Sequence, residues 1–285
     1  MKKNILTAAL LTVFLFSVAA TASANLNETD ANAVARYNSA KSSYKKVVNQ
    51  YKKARQSYVT AKNKYIKYKK NEDLVDTLQK AKDFLVKADE SMIGYGTMLE
   101  RKAETVSGIT ETERQQILSE IRSDISWLES HQSQIANATT KQQLTDHGEQ
   151  MKLRWTKIRI HAKKLIGKIT IHKINWVIER GESISLEIEN RIDNLKENGK
   201  DTAQLEEWFD EFNQNLDLAK KKRDNATEIY NQISTSGSTL GQLDSELKEA
   251  NSLFRNGHNF IKEANQYVRA AYKNLKNIVK EIKSS

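Results

Sequence analysis

The apolar residues in the first long segment of the chain recur every seven positions. Five tyrosines lie seven residues apart, and the residue three positions after each is in most cases small; the pairs are Tyr37/Ala40, Tyr44/Val47, Tyr51/Ala54, Tyr58/Ala61 and Tyr65/Tyr68. Heptad spacing places side chains on one side of a continuous α-helix and is typical of helices that pack along their length. The pattern predicts a first helix from about Glu28 to Lys70, with its tyrosines directed at a neighbouring helix.

Further along the chain, apolar residues alternate at three- and four-residue spacings, as they do in amphipathic helices. Local signals place the ends of these helices. Asp73 is the predicted N-cap of the second helix, and a capping-box sequence from Thr110 to Glu113 begins the third. Asn198-Gly199 is the predicted end of the fourth, because glycine readily adopts the left-handed conformation that follows a helix.

The segment from residue 144 to residue 198 is compatible with two structures. A stripe of apolar residues at helical spacing runs from Met151 to Ile169 and continues to Leu195. The isoleucines also alternate on both sides of Gly167, which is the pattern of two short strands joined by a turn. Helix is the favoured prediction because both flanking segments are helical, and the strand pair is the alternative.

The last two predicted helices resemble each other at a spacing of 38 residues. Gly199 and Gln204-Leu205-Glu206 recur as Gly237 and Gln242-Leu243-Asp244. The match suggests that residues 199–285 contain a duplicated loop-and-helix unit.

Together these patterns predict an all-α protein, an elongated antiparallel helical bundle of about five to six long helices with coiled-coil-like packing. Residues 25–285 are expected to form a single elongated domain. The chain has no proline and ten glycines, so the residues that most often interrupt helices are rare. Its hydrophobic fraction of 38% lies below the roughly 45–50% of typical globular domains, which favours thin, well-solvated bundles.

The first 24 residues have the pattern of a secretory signal. Lys2 and Lys3 precede an apolar run from Ile5 to Phe16, and Ala22-Ser23-Ala24 forms an A-x-A cleavage site. We expect the mature chain to begin at Asn25, and an uncleaved N-terminal anchor is the alternative. The protein is therefore expected to be secreted, either periplasmic or extracellular and associated with the cell envelope, without a transmembrane segment after cleavage.

Charge is distributed unevenly along the chain. The formal net charge is +10, yet residues 25–70 alone hold twelve lysines and arginines against Glu28 and Asp30. Residues 151–178 hold eight basic residues and no acid, whereas residues 201–235 hold eight acids against four basic residues. Such asymmetry indicates either a polyanionic partner or pairing between oppositely charged helices within the bundle.

The basic first helix is the one segment with a candidate binding site. The residues expected to contact a polyanion are Lys45, Lys46, Lys52, Lys53, Arg55, Lys62 and Lys64. In this interpretation the cationic helix follows the polymer and the phenols offer hydrogen bonds or stacking. The favoured interpretation is simpler: tyrosines form the core, lysines form the solvated face, and acidic residues of the second and fifth helices neutralise part of the charge.

No pattern of catalytic residues stands out. The five histidines, His131, His147, His161, His172 and His258, have no partner histidine or carboxylate in a recognised local motif, and we expect them to be solvated or partly buried. There is no nucleophile elbow and no phosphate-binding glycine loop. We therefore expect no enzymatic activity, no metal and no cofactor.

These features favour a secreted, non-enzymatic helical-bundle protein with a structural or interaction role at the cell envelope. The alternative is a binding module for anionic polymers, such as envelope polysaccharide or extracellular nucleic acid, or for a membrane surface. The expected partner is an anionic envelope polymer or another helical protein. Because arginine is scarce in the first helix, sequence-specific recognition of nucleic acid is not expected.

Overall fold

The computed structural model describes residues 28–106 and 110–284, and within them it contains six α-helices and no strand. The helices are α1 (Glu28–Tyr68), α2 (Asn71–Glu104), α3 (Glu111–Asn137), α4 (Lys141–Glu197), α5 (Ala203–Asn231) and α6 (Leu240–Ser284). The prediction of an all-α helical bundle is confirmed. The predicted signal segment, residues 1–24, lies outside the described residues.

The junction between α1 and α2 differs from the prediction. The first helix ends at Tyr68, Lys69 takes a left-handed φ of 57°, and the second helix already begins at Asn71. Asp73 therefore lies in the first turn of α2 and is not its N-cap. Its buried carboxylate forms an ion pair with Lys64, with 2.7 Å between Asp73 Oδ1 and Lys64 Nζ. A negative charge in the first turn also interacts favourably with the positive end of the helix dipole.

The other predicted helix ends are close to the observed ones. Thr110 caps α3 through the expected capping box with Glu113. A second capping box, which was not predicted, joins Thr140 to Gln143 at the start of α4. At the other end of α4, Gly199 takes a left-handed φ of 73°, which confirms the predicted stop.

The isoleucine-rich segment is helical throughout, so the alternative of a strand pair is wrong. The helix α4 has 57 residues and is therefore about 86 Å long at 1.5 Å per residue. Gly167 lies in its middle, where a Cβ atom would stand only 2.6 Å from the ring of Tyr230 in α5. This glycine permits close helix packing and does not form a turn.

The long helix α4 is shared by two bundles. Its first part packs with α2 and α3, and α1 lies along α2; we call this the first bundle. The rest of α4 packs with α5 and α6 in the second bundle. Among the described helices, α1 makes a close backbone approach to α2 alone, so most of its circumference is open.

Small residues allow close packing in the second bundle. Five alanines are at most 2% exposed: Ala219, Ala226, Ala250, Ala264 and Ala271. A Cβ atom at Gly257 in α6 would lie 2.6 Å from the ring of Tyr230, so this tyrosine is held between glycines of α4 and α6. No helix in the described ranges has both the length and the apolar character needed to span a membrane.

Candidate functional site

The tyrosines of α1 face α2, as the heptad pattern predicts. The ring of Tyr44 lies 5.6 Å from that of Tyr95, and the rings of Tyr51 and Tyr58 each lie 5.6 Å from Phe84. These three tyrosines of α1 are half-buried. Burial raises the pKa of the Tyr44 and Tyr51 phenols, so both stay neutral at ordinary pH. Their rings therefore serve the packing of the α1–α2 hairpin.

The opposite side of α1 is basic and exposed to solvent. All seven residues of the predicted polyanion site are exposed: Lys45, Lys46, Lys52, Lys53, Arg55, Lys62 and Lys64. We call these seven residues the basic face. From Lys45 to Lys62 it covers about 26 Å of helix at 1.5 Å per residue. The structure thus leaves all seven side chains accessible along a single helix, distributed around the part of its circumference that does not face α2.

Internal neutralisation reaches only the two ends of α1. Near its start, Arg36 contacts Glu104 of α2 at 3.1 Å. Near its end, Lys64 contacts Asp73 at 2.7 Å, and this hydrogen bond raises the pKa of the Lys64 ammonium group. Within the described chain, the other six residues of the basic face have no carboxylate within 4.0 Å, so the middle of α1 keeps its positive charge uncompensated.

The acidic helix α5 does not face α1, contrary to one of the two interpretations of the charge pattern. It packs against α4 and α6 in the second bundle. There the Lys222 ammonium group of α5 contacts Glu263 of α6. The Glu206 carboxylate of α5 accepts a hydrogen bond from the Lys196 ammonium group of α4 at 2.9 Å. The charges of α5 are thus involved in its own bundle and leave the basic face open.

The expectation that all histidines are solvated or partly buried is wrong for His131. This side chain is 1% exposed, and its Nδ1 lies 2.8 Å from the Oδ2 of Asp89, which is fully buried. Its Nε2 lies 3.1 Å from Nδ1 of His147. An imidazole N–H that donates to the carboxylate leaves Nε2 as the acceptor for His147, so a chain of three side chains runs from the core toward the surface.

A second buried carboxylate lies nearby in the first bundle. Asp124 of α3 is 2% exposed, and His161 Nδ1 lies 2.7 Å from its Oδ2. The guanidinium group of Arg154 contacts the other carboxylate oxygen at 3.1 Å. The two residues paired with Asp124 come from α4, so this cluster ties α3 to α4 as Asp89 ties α2 to α3.

The buried Asp–His pairs have the geometry of structural contacts. The ring of Trp127 stacks on His131 with centroids 4.5 Å apart and covers it. In the part of the chain that the structure describes, no three histidine or acidic side chains are arranged to hold a metal ion. Burial raises the pKa of Asp89, although His131 acts in the opposite direction, and burial lowers the pKa of His147. We therefore regard the basic face of α1 as the candidate functional site.

Comparison of the chain with protein-family models, with curated proteins and with solved structures finds no match.

Proposed function

We propose that this is a secreted, non-enzymatic helical-bundle protein that binds an anionic polymer of the cell envelope along α1. The observation that supports this function is the exposed middle of α1, where Lys45, Lys46, Lys52, Lys53, Arg55 and Lys62 have no acidic partner in the described chain. A helix that packs on one side only can lie along an extended polymer with its other side.

The physical basis is the release of counterions. A polyanion keeps a layer of condensed cations, and each lysine that neutralises one of its charges sets a cation free. For a flexible single-stranded polyanion, six such contacts give a slope of about −4 in log K against log salt concentration. Because the basic face has one arginine among its seven residues, it offers point charges more than paired hydrogen bonds. Binding is expected to depend on charge density and not on polymer sequence.

Retention on a heparin-like matrix at increasing salt tests this proposal. The test variant replaces Lys45, Lys46, Lys52 and Lys53 by glutamine. The matched control makes the same change in charge on α6, at Lys248, Lys273, Lys276 and Lys280, which are also exposed. We expect the α1 variant to elute earlier and to show a salt slope smaller by about three, since four contacts are lost.

Two outcomes would contradict polyanion binding by α1. The first is that the intact wild-type protein shows no salt-dependent retention, and the second is that the α1 and α6 variants lose retention equally. Retention on single-stranded nucleic acid or on anionic vesicles in place of an acidic polysaccharide would keep the basic face as the site and change the class of polyanion. Circular dichroism of each variant verifies that the helices are intact.

A structural role is the second candidate function. It is favoured by α4, whose 57 residues pass through both bundles and connect them without a loop. Such a continuous helix can hold two binding surfaces at a fixed separation. Loss of polyanion retention with preserved association to another helical protein would favour this role.

Secretion is the part of the proposal that depends on residues 1–24. The A-x-A sequence at Ala22-Ser23-Ala24 predicts cleavage before Asn25. The intact mass of the exported protein should therefore equal that of the chain without residues 1–24. A full-length species extracted with the membrane would contradict this prediction.

A further inference from the structure

Two lysines of the first bundle lie beside the ring of Tyr37, and a third lysine, from α4, is close to one of them. The Lys102 Nζ atom of α2 lies 4.6 Å from the ring centroid, and the Lys41 Nζ atom of α1 lies 5.9 Å from it. The side chain of Lys173, from α4, is within interaction range of Lys102. All three lysines are partly exposed, whereas Tyr37 is 7% exposed and belongs to the core.

The lysine cluster has no internal counter-charge in the described part of the chain. None of the three ammonium groups has a carboxylate within 4.0 Å. Glu104 follows Lys102 by two residues, but its carboxylate is already held by Arg36 and Arg101. Burial, together with the charges of Lys173 and Lys41, lowers the pKa of Lys102 to about 8. Burial also lowers the pKa of Lys173.

Some other lysines of this protein that are partly buried do have acidic partners, although Lys163 and Lys168 have no carboxylate within 4.0 Å in the described chain. Lys87 contacts Glu90 at 2.9 Å on α2, and Lys164 of α4 contacts Glu120 of α3 at 2.6 Å. Taking an ammonium group out of water is costly unless an anion replaces the lost solvation. The convergence of three such groups without a carboxylate is therefore an arrangement that an external anion would complete.

We propose that Lys41, Lys102 and Lys173 form a binding site for one phosphate- or sulfate-type oxyanion. A charged ammonium group has three N–H donors and no acceptor, so Lys102 and Lys173 repel each other while both are protonated, and Lys41 adds to the positive charge at Lys102. A tetrahedral oxyanion placed among them would accept from all three and reduce their repulsion. Lysine is a common phosphate ligand that acts as a point charge, and it does not need the planar geometry of arginine.

This site is separate from the basic face and does not rest on the proposed function. Tyr37 and Lys41 lie on α1 before the segment from Lys45 to Lys64, and the other two lysines belong to α2 and α4. The oxyanion can come from two sources, a free inorganic ion or a charged group of an anionic polymer. Both sources offer the same chemistry to the three lysines, so the experiment has one arm for each.

In the first arm, the full chain is titrated with inorganic phosphate and with sulfate at constant ionic strength, with chloride as reference. We expect saturable binding in calorimetry and a rise in melting temperature beyond that in chloride, because a ligand that binds only the folded state stabilises it. Lys102→Gln and Lys173→Gln should each weaken binding at least about tenfold, which corresponds to roughly 1.4 kcal/mol. Lys248→Gln on α6, at an exposed lysine outside both candidate sites, is the matched control and should leave phosphate binding unchanged.

A second readout separates an anion site from a cluster with only a structural role. Without phosphate, Lys102→Met should raise the melting temperature, since it removes a repelling charge, and it should also abolish the response to phosphate. In addition, phosphate should slow the modification of Lys102 by amine-specific reagents near pH 8 but not that of Lys52, as mapped by mass spectrometry. Stabilisation by phosphate that is identical in wild type and in both Lys102 variants would overturn the proposal.

The second arm uses a polyphosphate or a sulfated polysaccharide in place of the free ion. If the polymer supplies the oxyanion, Lys102→Gln reduces polymer affinity, and free phosphate has little effect. If the free ion is the ligand, Lys102→Gln abolishes the phosphate response and leaves polymer retention to the basic face. The quadruple α1 variant should keep its phosphate response in either case, so failure of the polyanion proposal is distinguishable from failure of this site. No effect of Lys102→Gln in either arm would refute the inference.

Discussion

The two bundles that share α4 have different interiors. In the first bundle, side chains that are at most 2% exposed include Asp73, Asp89, Asp124 and His131. In the second bundle, no acidic or basic side chain is buried on the described residues of α5 and α6, and Asn274 is the buried polar residue there. The first interior therefore contains several titratable side chains, whereas α5 and α6 bury mainly apolar and small residues, and the buried Lys163 of α4 lies over the ring of Phe254 in α6.

The difference indicates two ways of fixing helices against each other. Asp89 and Asp124 each pair with a histidine on the next helix, so their geometry sets the positions of α2, α3 and α4 along their axes. In the second bundle the relative positions of the helices are set by steric fit, because the Tyr230 ring lies between Gly167 and Gly257. A buried carboxylate paired with a polar side chain adds little net stability but is costly to leave without its partner. A close-packed ring contributes stability directly.

The exteriors differ as well. Both candidate binding surfaces, the basic face and the lysine cluster, belong to the first bundle. In the second bundle, lysines of α5 contact acids on neighbouring helices, as Lys220 contacts Glu182 and Lys222 contacts Glu263. Within the described residues, exposed lysines without an acidic partner occur on α6 as well, but α1 carries them on a helix that packs on one side only.

The largest expected effect concerns the centre of the second bundle. Tyr230→Ala removes a ring that is 1% exposed and should lower the free energy of unfolding by about 3–5 kcal/mol, because it leaves a cavity. Tyr272→Ala is the matched control on α6, since this tyrosine is 57% exposed, and it should cost no more than about 0.5 kcal/mol. Urea unfolding followed by circular dichroism measures both. Similar losses of stability in the Tyr230→Ala and Tyr272→Ala variants would show that the fit of the Tyr230 ring does not determine the packing of this bundle.

Breaking the buried pair of the first bundle should have the next largest effect. Asp89→Ala leaves the His131 Nδ1–H without its acceptor and should cost about 2–4 kcal/mol. The expected cost is below that of the ring deletion because Asp89 already has one oxygen, Oδ1, without a hydrogen-bond partner. Asp83→Ala, an exposed change on the same helix, is the control and should be nearly neutral.

A double substitution sharpens the contrast between the two interiors. Asp89→Leu combined with His131→Phe replaces the pair by apolar groups and keeps a ring that can stack on Trp127. Because the desolvation cost disappears with the charges, the double variant should be less destabilised than the sum of the single ones. Equal costs for the double variant and for that sum would mean that the two residues are not coupled.

The helical architecture could be predicted from the sequence because its signals are local. The tyrosine heptads, the capping box at Thr110 and the left-handed Gly199 each depend on residues within one or two helical turns. Asp73 was misplaced because several polar residues near a helix start can act as its cap, and the left-handed Lys69 shifted the start to Asn71. The repeat between the last two helices stays a prediction.

The buried pairs and the lysine cluster could not be predicted, because their members are distant in sequence. His131 lies 42 residues from Asp89 and 16 from His147, and the three residues belong to different helices. Lys102 and Lys173 are likewise brought together only by the packing of α2 against α4. Spacing rules describe one helix at a time, so they identify the basic face of α1 but not contacts between helices.

A smaller effect is expected from glycines in the second bundle. At Gly257 a methyl group would meet the Tyr230 ring at 2.6 Å, so Gly257→Ala should cost about 1–2 kcal/mol despite its gain in helix propensity. At Gly241, also in α6, no atom lies within 4 Å of the added Cβ, and Gly241→Ala should be neutral or slightly stabilising. Melting temperatures of the two variants should therefore move in different directions. A stabilising Gly257→Ala would show that the bundle can move apart without cost.

The smallest expected effect is the pH dependence of stability, to which each bundle contributes one histidine. Burial lowers the pKa of His147 in the first bundle; His131 lowers it further, while Asp146 and Asp89 act in the opposite direction. Burial and Lys262 lower the pKa of His258 in the second. Near the ordinary imidazole pKa of about 6.5, the folded protein thus binds fewer protons than the unfolded chain. Stability is therefore full above that pH and is lost as the pH falls toward the lowered values.

Urea unfolding at pH 7.5 and pH 5.5, at constant salt, measures this loss in wild type, His147→Gln and His258→Gln. Each variant should show a smaller difference between the two pH values than the wild type, since each removes one histidine that is held neutral by folding. Asp89 contributes with the opposite sign, because burial raises its pKa: between its ordinary pKa of about 3.8 and the raised one, the folded protein binds more protons than the unfolded chain. A wild-type protein that is more stable at pH 5.5 would contradict the assignment. A pH response abolished by His147→Gln alone would place the whole effect in the charged interior of the first bundle, which would strengthen the contrast between the two.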